Sequence, residues 1–199
     1  SGPGMKARID EARRLGDSVG GQIEVVAAGL PAGLGSFAQW DTRLDGRLAQ
    51  ALVSIPAIKS FEIGLGREVG ERLGSQVHDP ILPAREGGVR GIPRRSGNRA
   101  GGLEAGVSNG QPLVLRCSMK PIATLRRGLP SVDLATGRAV DAAFERSDVC
   151  AVPSAALVAE AMTALVLAGC ALELFGGASH QAFLEGHRAH LDRMGRIFG

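Results

Sequence analysis

The chain has no tyrosine, one tryptophan and six phenylalanines, so aromatic residues make up 4% of it. Base-stacking platforms for single-stranded nucleic acid need aromatic faces, which weakens that reading of a sequence with pI near 9.1 and net charge +3. Cysteine is scarce too. Cys117, Cys150 and Cys170 are odd in number and form no C-x-x-C pair. With no leader-like stretch ahead of them, they are expected to be reduced, buried thiols of a cytosolic protein. Long apolar runs are missing as well. The most apolar stretch, Ala161 to Leu172, gives 12 uncharged residues between Glu160 and Glu173. Spanning a bilayer needs about 18 or more, so a buried helix is expected there.

Glycine, by contrast, is abundant at 29 of 199 residues, about twice the usual share, which implies many tight turns. The first four residues, Ser-Gly-Pro-Gly, resemble a cloning remnant, which leaves 5–199 as a single domain. Met5 to Leu15 has apolar residues at helical spacing and Gly16 placed to stop it. "IEVVA" within Gln22 to Ala28 predicts a strand. Asp41 is expected to cap a helix with Leu44, Leu48, Leu52 and Ile55 on one face, ended by Pro56. Phe61 and Ile63 alternate in a short strand. Gly74 to Asn98 has no period and predicts a long loop. Pro112 to Met119 predicts a strand, and Ser154 to Phe175 and Ser179 to Phe198 predict two helices. Mixed strand and helix order points to an α+β fold rather than a regular βαβ series.

Several short patterns invite chemical readings. Gly16-Asp17-Ser18-Val19-Gly20 fits G-x-S-x-G, but a nucleophile elbow needs a strand before the serine and a helix after it. Here the order is reversed, so a helix-to-strand turn with Asp17 or Ser18 bonding the backbone is expected. Gly64 to Gly70 misplaces the third glycine of a dinucleotide fingerprint and is rejected. Arg85, Arg90, Arg94, Arg95 and Arg99, followed by a glycine-rich stretch, could clamp a phosphate or carboxylate or form a solvated loop. His187 and His190 share a helix face, but without a third ligand they predict exposed helix residues rather than a metal site. Arg146-Ser147-Asp148 could hold a poised base or a surface ion pair.

Taken in order, "GDSVGG", "GLPAGLG", "SIPAIK", "EIG", "GS..HD", "NRAGGLEAGVSNGQP", "MKPIAT" and "RSDVCAVP" resemble the chorismate synthase family from about Met5 to about Gly177. The resemblance implies a β-α-β sandwich with antiparallel sheets packed on a helical layer. It implies a lyase that eliminates phosphate from 5-enolpyruvylshikimate 3-phosphate with reduced FMN, in a cytoplasmic homotetramer with no nucleic-acid or membrane partner. By the same resemblance Pro56, Ala57, Ala105, Lys120, Pro121, Ile122, Ala123, Thr124 and Arg146 would contact FMN. Arg146 and Ser147 would meet substrate, and Asp148 would handle a proton near the flavin N5. Ala105 replaces the family's usual glycine, and Ser147 stands where many members carry histidine. The family's "GESHG" histidine, its second histidine, several substrate-binding arginines and its "SAR" flavin segment have no counterpart here. The chain is therefore expected to be the C-terminal half of the enzyme, its flavin reduced by a separate protein. The alternative is a non-catalytic module that binds flavin or other subunits, with an exposed apolar surface where the shared core is missing.

Overall fold

A computed structural model describes residues 2–82 and 94–198. Its centre is a three-stranded antiparallel sheet of β1 (Gly21–Ala27), β7 (Leu113–Met119) and β2 (Ile58–Ile63), with β7 in the middle. Alternation along β7 sends Leu113, Leu115 and Cys117 to the core and Val114, Arg116 and Ser118 to the other face. Ile23 and Phe61 both pair with Cys117, and Val25 and Ile63 with Leu115, so one apolar row crosses all three strands. All three cysteines are free thiols, Cys117 and Cys170 buried.

The helical layer on that row is α2 (Leu44–Val53) and α4 (Val152–Phe175). Leu44, Leu48 and Leu52 recur every fourth residue and are 0% exposed. Burying each contributes about 1.5–3 kcal/mol. The expected Asp41 cap does not form, because Arg43 is the N-cap residue and makes no side-chain capping bond. Instead Leu44 N donates to the Gly106 carbonyl, and Arg43 ties Asp45 in the first turn. The helix stops at Val53, ahead of Pro56.

Helix α4 is only partly the buried helix expected. Val152, Ala155, Ala159, Thr163 and Cys170 face the core, while Leu157, Val158, Leu165 and Leu172 are 47–70% exposed. By length and composition α4 could cross a membrane, yet one face is packed on β1 and α2. Gly176, at φ +97, turns the chain into α5 (His180–Phe198). There Ser179 caps the first turn by accepting from Ala182 N. Gly186 lies so close to the Phe175 carbonyl that a Cβ would sit 2.0 Å from its oxygen.

The predicted first helix is α1 (Gly2–Leu15), so Gly2 to Gly4 are helical. The stretch expected to be a long loop contains α3 (Gly74–Val77) and a hairpin of β3 (Ile81–Leu82) with β4 (Arg94–Arg95). Arg85 and Arg90 lie outside the described residues. Two hairpins carry no strong signal in the sequence. β5 (Leu103–Glu104) and β6 (Val107–Ser108) turn through Ala105 and Gly106, both at positive φ. β8 (Pro130–Val132) and β9 (Ala139–Asp141) are wholly exposed. Their loop is organised by Asp133, which accepts from Ala135 N, Thr136 N and the Thr136 hydroxyl. Those bonds hold its carboxyl below the usual range.

Candidate functional site

At the Met119 end of β7, three loops interlock. The Gly16–Gly20 turn joins α1 to β1 and carries the G-x-S-x-G pattern. The serine is structural, as expected, since its Oγ donates to the Ile122 carbonyl at 2.5 Å. Gly20 packs on the next loop so closely that a Cβ would stand 2.2 Å from the Met119 oxygen. That second loop, Lys120 to Arg127, is fixed at its start by Lys120 N donating to the Ala57 carbonyl at 2.9 Å. Near its other end Arg127 N donates to Gly16 O. Ala57 holds φ +69, a left-handed conformation uncommon without glycine. Strain of this kind persists where surrounding bonds over-determine it. The third loop, Arg146 to Val149, is tied by Ser147 Oγ donating to Thr124 O at 3.2 Å and by Val19 N donating to Val149 O at 2.9 Å.

Between these loops lies an open cleft of about 210 Å³ whose lining includes Arg13, Asp17, Thr124, Arg126, Arg146 and Asp148. Phe144 adds an apolar wall. Arg13 is paired with Asp10. Arg126, Arg146 and Asp148 are exposed and make no hydrogen bond or ion pair among the described residues. The Arg146–Asp148 surface pair is therefore not formed, and both groups are free for a ligand. Free guanidinium groups around a concave surface suit a phosphate or carboxylate.

The structure thus brings Pro56, Ala57, Lys120 to Thr124 and Arg146 to Asp148 to one end of the sheet. The Ser147 hydroxyl, expected to meet substrate, donates to backbone. Ala105 is elsewhere, at the exposed tip of the β5–β6 hairpin with φ +54, near the N-terminus of α2 and the Leu113 end of β7. Sequence reasoning missed Arg13, Asp17, Arg126 and Phe144 as cleft residues. Asp17 was read only as a backbone-bonding turn residue, which it is, accepting from Ser18 N, and Arg126 lies just beyond the "MKPIAT" match.

The arginine loop resolves into structure where it is described. Arg95 donates to Glu104 and to the Asp79 carbonyl, and Arg99 pairs with the buried Asp79 side chain at 3.4 Å. Asp79 also accepts from Ala100 N, and Asn109 donates to Glu104. Two of the arginines proposed as clamps are thus occupied within the fold. Gly64, at φ +59, would place a Cβ 2.1 Å from Arg99 O, and a short 3-10 turn, Gly66–Glu71, follows it. The glycine serves chain crossing and not a dinucleotide.

His190 corrects the expectation of exposed helix histidines. It is 7% exposed, its Nε2 is 2.7 Å from the Ala32 carbonyl, and its ring meets Phe175 edge to face. His187 packs on the same phenylalanine. Among the described residues no group of three or more His, Cys, Asp or Glu could hold a metal.

The sequence model of the chorismate synthase family matches residues 2–172. The chorismate synthase of Desulforudis audaxviator is 55% identical over 194 residues, covering 98% of this chain and 49% of that protein. The one from Moorella thermoacetica is 58% identical over 177 residues, covering 89% of this chain and 45% of that protein. A crystal structure of chorismate synthase superposes with a TM-score of 0.79 at 41% identity, over 98% of this chain and 49% of the other. The α+β fold read from element order is the fold of that structure in part. The chain spans about half the length of the curated relatives it matches. With a family match over most of its residues and relatives above half identity, the chain belongs to the chorismate synthase family.

Proposed function

We propose that this chain carries the flavin- and phosphate-facing part of a chorismate synthase, a lyase that eliminates phosphate from 5-enolpyruvylshikimate 3-phosphate to give chorismate. The observation that carries the reading is the convergence of Thr124, the last residue of the Lys120–Thr124 segment, and Arg146–Asp148 on one cleft that Arg126 also lines, in a chain of this family. The cleft fits the phosphate end of FMN or of the substrate, because Arg126 and Arg146 are exposed and unpaired there. At about 210 Å³ it is below the roughly 300 Å³ at which pockets for whole small ligands begin.

Reduced FMN, when bound, supplies electron density that helps phosphate leave and is regained as a hydrogen leaves the ring. The protein's part is positioning and charge. Arg146, with Arg126 beside the same cleft, offers planar N–H donors to the leaving phosphate. Such donors act most strongly where negative charge builds up in the transition state. The Ser147–Thr124 bond holds Arg146 and Asp148 at the cleft rim. The Asp148 carboxylate, exposed at the cleft, would serve as a positioned general base and acid toward the bound flavin. Lys120 and the Ala57 backbone, tied together, form the adjoining edge. Ala105 stands at the other end of β7, about 20 Å along a seven-residue strand, and is left out of this cleft's chemistry. The same reading carries a cytoplasmic homotetramer, a separate flavin reductase, and neither nucleic acid nor membrane as partner.

The test is anaerobic chorismate formation from 5-enolpyruvylshikimate 3-phosphate by this chain mixed with a polypeptide supplying the N-terminal half of a relative. Chorismate is expected with reduced FMN and not without it. No product from a folded, associated pair contradicts the proposal. It would favour the second reading, a flavin- or subunit-binding module, which rests on the family histidines and arginines absent from this sequence.

A further inference from the structure

Lysine is rare in this chain. Of its 23 cationic side chains only Lys6, Lys59 and Lys120 are lysine, and two of these meet at the Met119 end of the central sheet. The backbone there departs twice from a regular strand. Ala57 is left-handed, and the β2–β7 register then shifts between Ile58 and Ser60. Ile58 and Phe61 both pack in the core, so the residues between them, Lys59 and Ser60, lie on the outer face. Counted back from Phe61, unbroken alternation would turn Lys59 into the core and Ile58 out to solvent. The extra residue of the bulge keeps the isoleucine in and the lysine out. Bulges and left-handed non-glycine residues both concentrate at functional sites, where they aim side chains.

Lys120, one residue past β7, falls on the same face by the alternation that turns Val114, Arg116 and Ser118 outward. Its N–H donates to the Ala57 carbonyl, which makes Lys59 its diagonal neighbour, about 7–8 Å away along the backbone. Both lysines are exposed and make no hydrogen bond or ion pair among the described residues. The carboxylates of the outer face are committed elsewhere. Glu24 is held by Arg116, and Glu62 lies against Gly66 at the far end of β2. Two ammonium groups held this close repel each other, and an anion between them turns repulsion into attraction. Lysine acts as a compact point charge with three rotatable donors, which suits a phosphate.

We propose that Lys59 is a further binding residue of this site, which with Lys120 holds a phosphate monoester, that of FMN or that of the substrate. The inference rests on the chorismate synthase reading above and adds to it a residue that lies two positions beyond the flavin contacts expected at Pro56 and Ala57.

Calorimetric titration of this chain tests this with two ligand pairs, FMN against riboflavin and shikimate 3-phosphate against shikimate. The wild type is expected to prefer FMN to riboflavin. Lys59→Gln should lower FMN affinity about tenfold, the usual effect of losing one charge-assisted hydrogen bond, and leave riboflavin unchanged. Lys59→Arg should keep most of the preference, and Lys6→Gln, on α1, should change neither value. A loss confined to shikimate 3-phosphate supports the phosphate subsite and assigns it to the substrate. A wild type that shows no preference within either pair overturns the proposal. So does a Lys59→Gln chain that keeps the preference, or one that loses riboflavin and shikimate as strongly as their phosphates. None of these readings needs turnover. A Lys59-dependent FMN preference beside no chorismate from the reconstituted enzyme would overturn the lyase reading and leave the subsite standing.

Discussion

Ser18 shows how a side chain's neighbours decide its chemistry. Its hydroxyl is committed to the Ile122 carbonyl, so Ser18→Ala should lower stability by about 1 kcal/mol. Urea unfolding midpoints check this, and an unchanged midpoint would mean the bond contributes nothing. The serine's role was legible, because the elements flanking it come in the wrong order for a nucleophile. Asp17 was not legible as a cleft residue, since only the fold brings it opposite Arg146. Asp45 gives a pH signature. Hydrogen bonding to Arg43 is the main effect holding its carboxyl below the usual range; burial opposes it, and the Gly46 N–H and the arginine's charge add to the lowering. A carboxyl lowered in the folded state favours folding fully above its unfolded value, about 3.9. That contribution is lost as pH falls through the lowered folded value. Asp45→Asn should therefore narrow the gap to wild type as thermal melts move below about pH 4. A gap that widens on acidification would contradict the sign.

At the scale of elements, α2 was the most readable. Its leucines repeat every fourth residue, and burial follows. Leu48→Ala should cost about 2–5 kcal/mol, since the site is closed on all sides. Its cap was misread because a backbone carbonyl from a distant hairpin, Gly106, takes the role assigned to Asp41. The β5–β6 hairpin escaped notice for a related reason. An Ala-Gly turn lacks the Asn-Gly or Asp-Gly signal, and the left-handed φ at Ala105 is held by contacts remote in sequence. Two glycines separate conformational from steric demands. Gly29, at φ +79, has nothing within 4 Å of a built Cβ, whereas Gly64, at φ +59, would meet Arg99 O at 2.1 Å. Gly29→Ala should cost about 1–2 kcal/mol, the usual left-handed penalty. Gly64→Ala should cost clearly more, or prevent folding. Equal midpoints for the two would refute the crossing role given to Gly64.

Over the whole molecule, motif order pointed to the family before any contact was known, because eight short stretches in register constrain one another. The helical layer is covered on one side only: Leu157, Val158, Leu165 and Leu172 leave the other face of α4 exposed. Sequence could not show that the groups proposed to face phosphate gather at one end of the sheet while Ala105 stands at the other. That division depends on strand register and on α2 running between the two ends. It leaves Asp148 as the exposed carboxylate of the cleft, the group proposed above to handle the proton. The most direct test is chorismate formation by an Asp148→Asn chain in the reconstituted enzyme, measured anaerobically beside FMN affinity. Loss of a positioned acid–base group should lower the rate by about 10²–10⁴ while FMN still binds. A wild-type rate with asparagine in place would contradict the account.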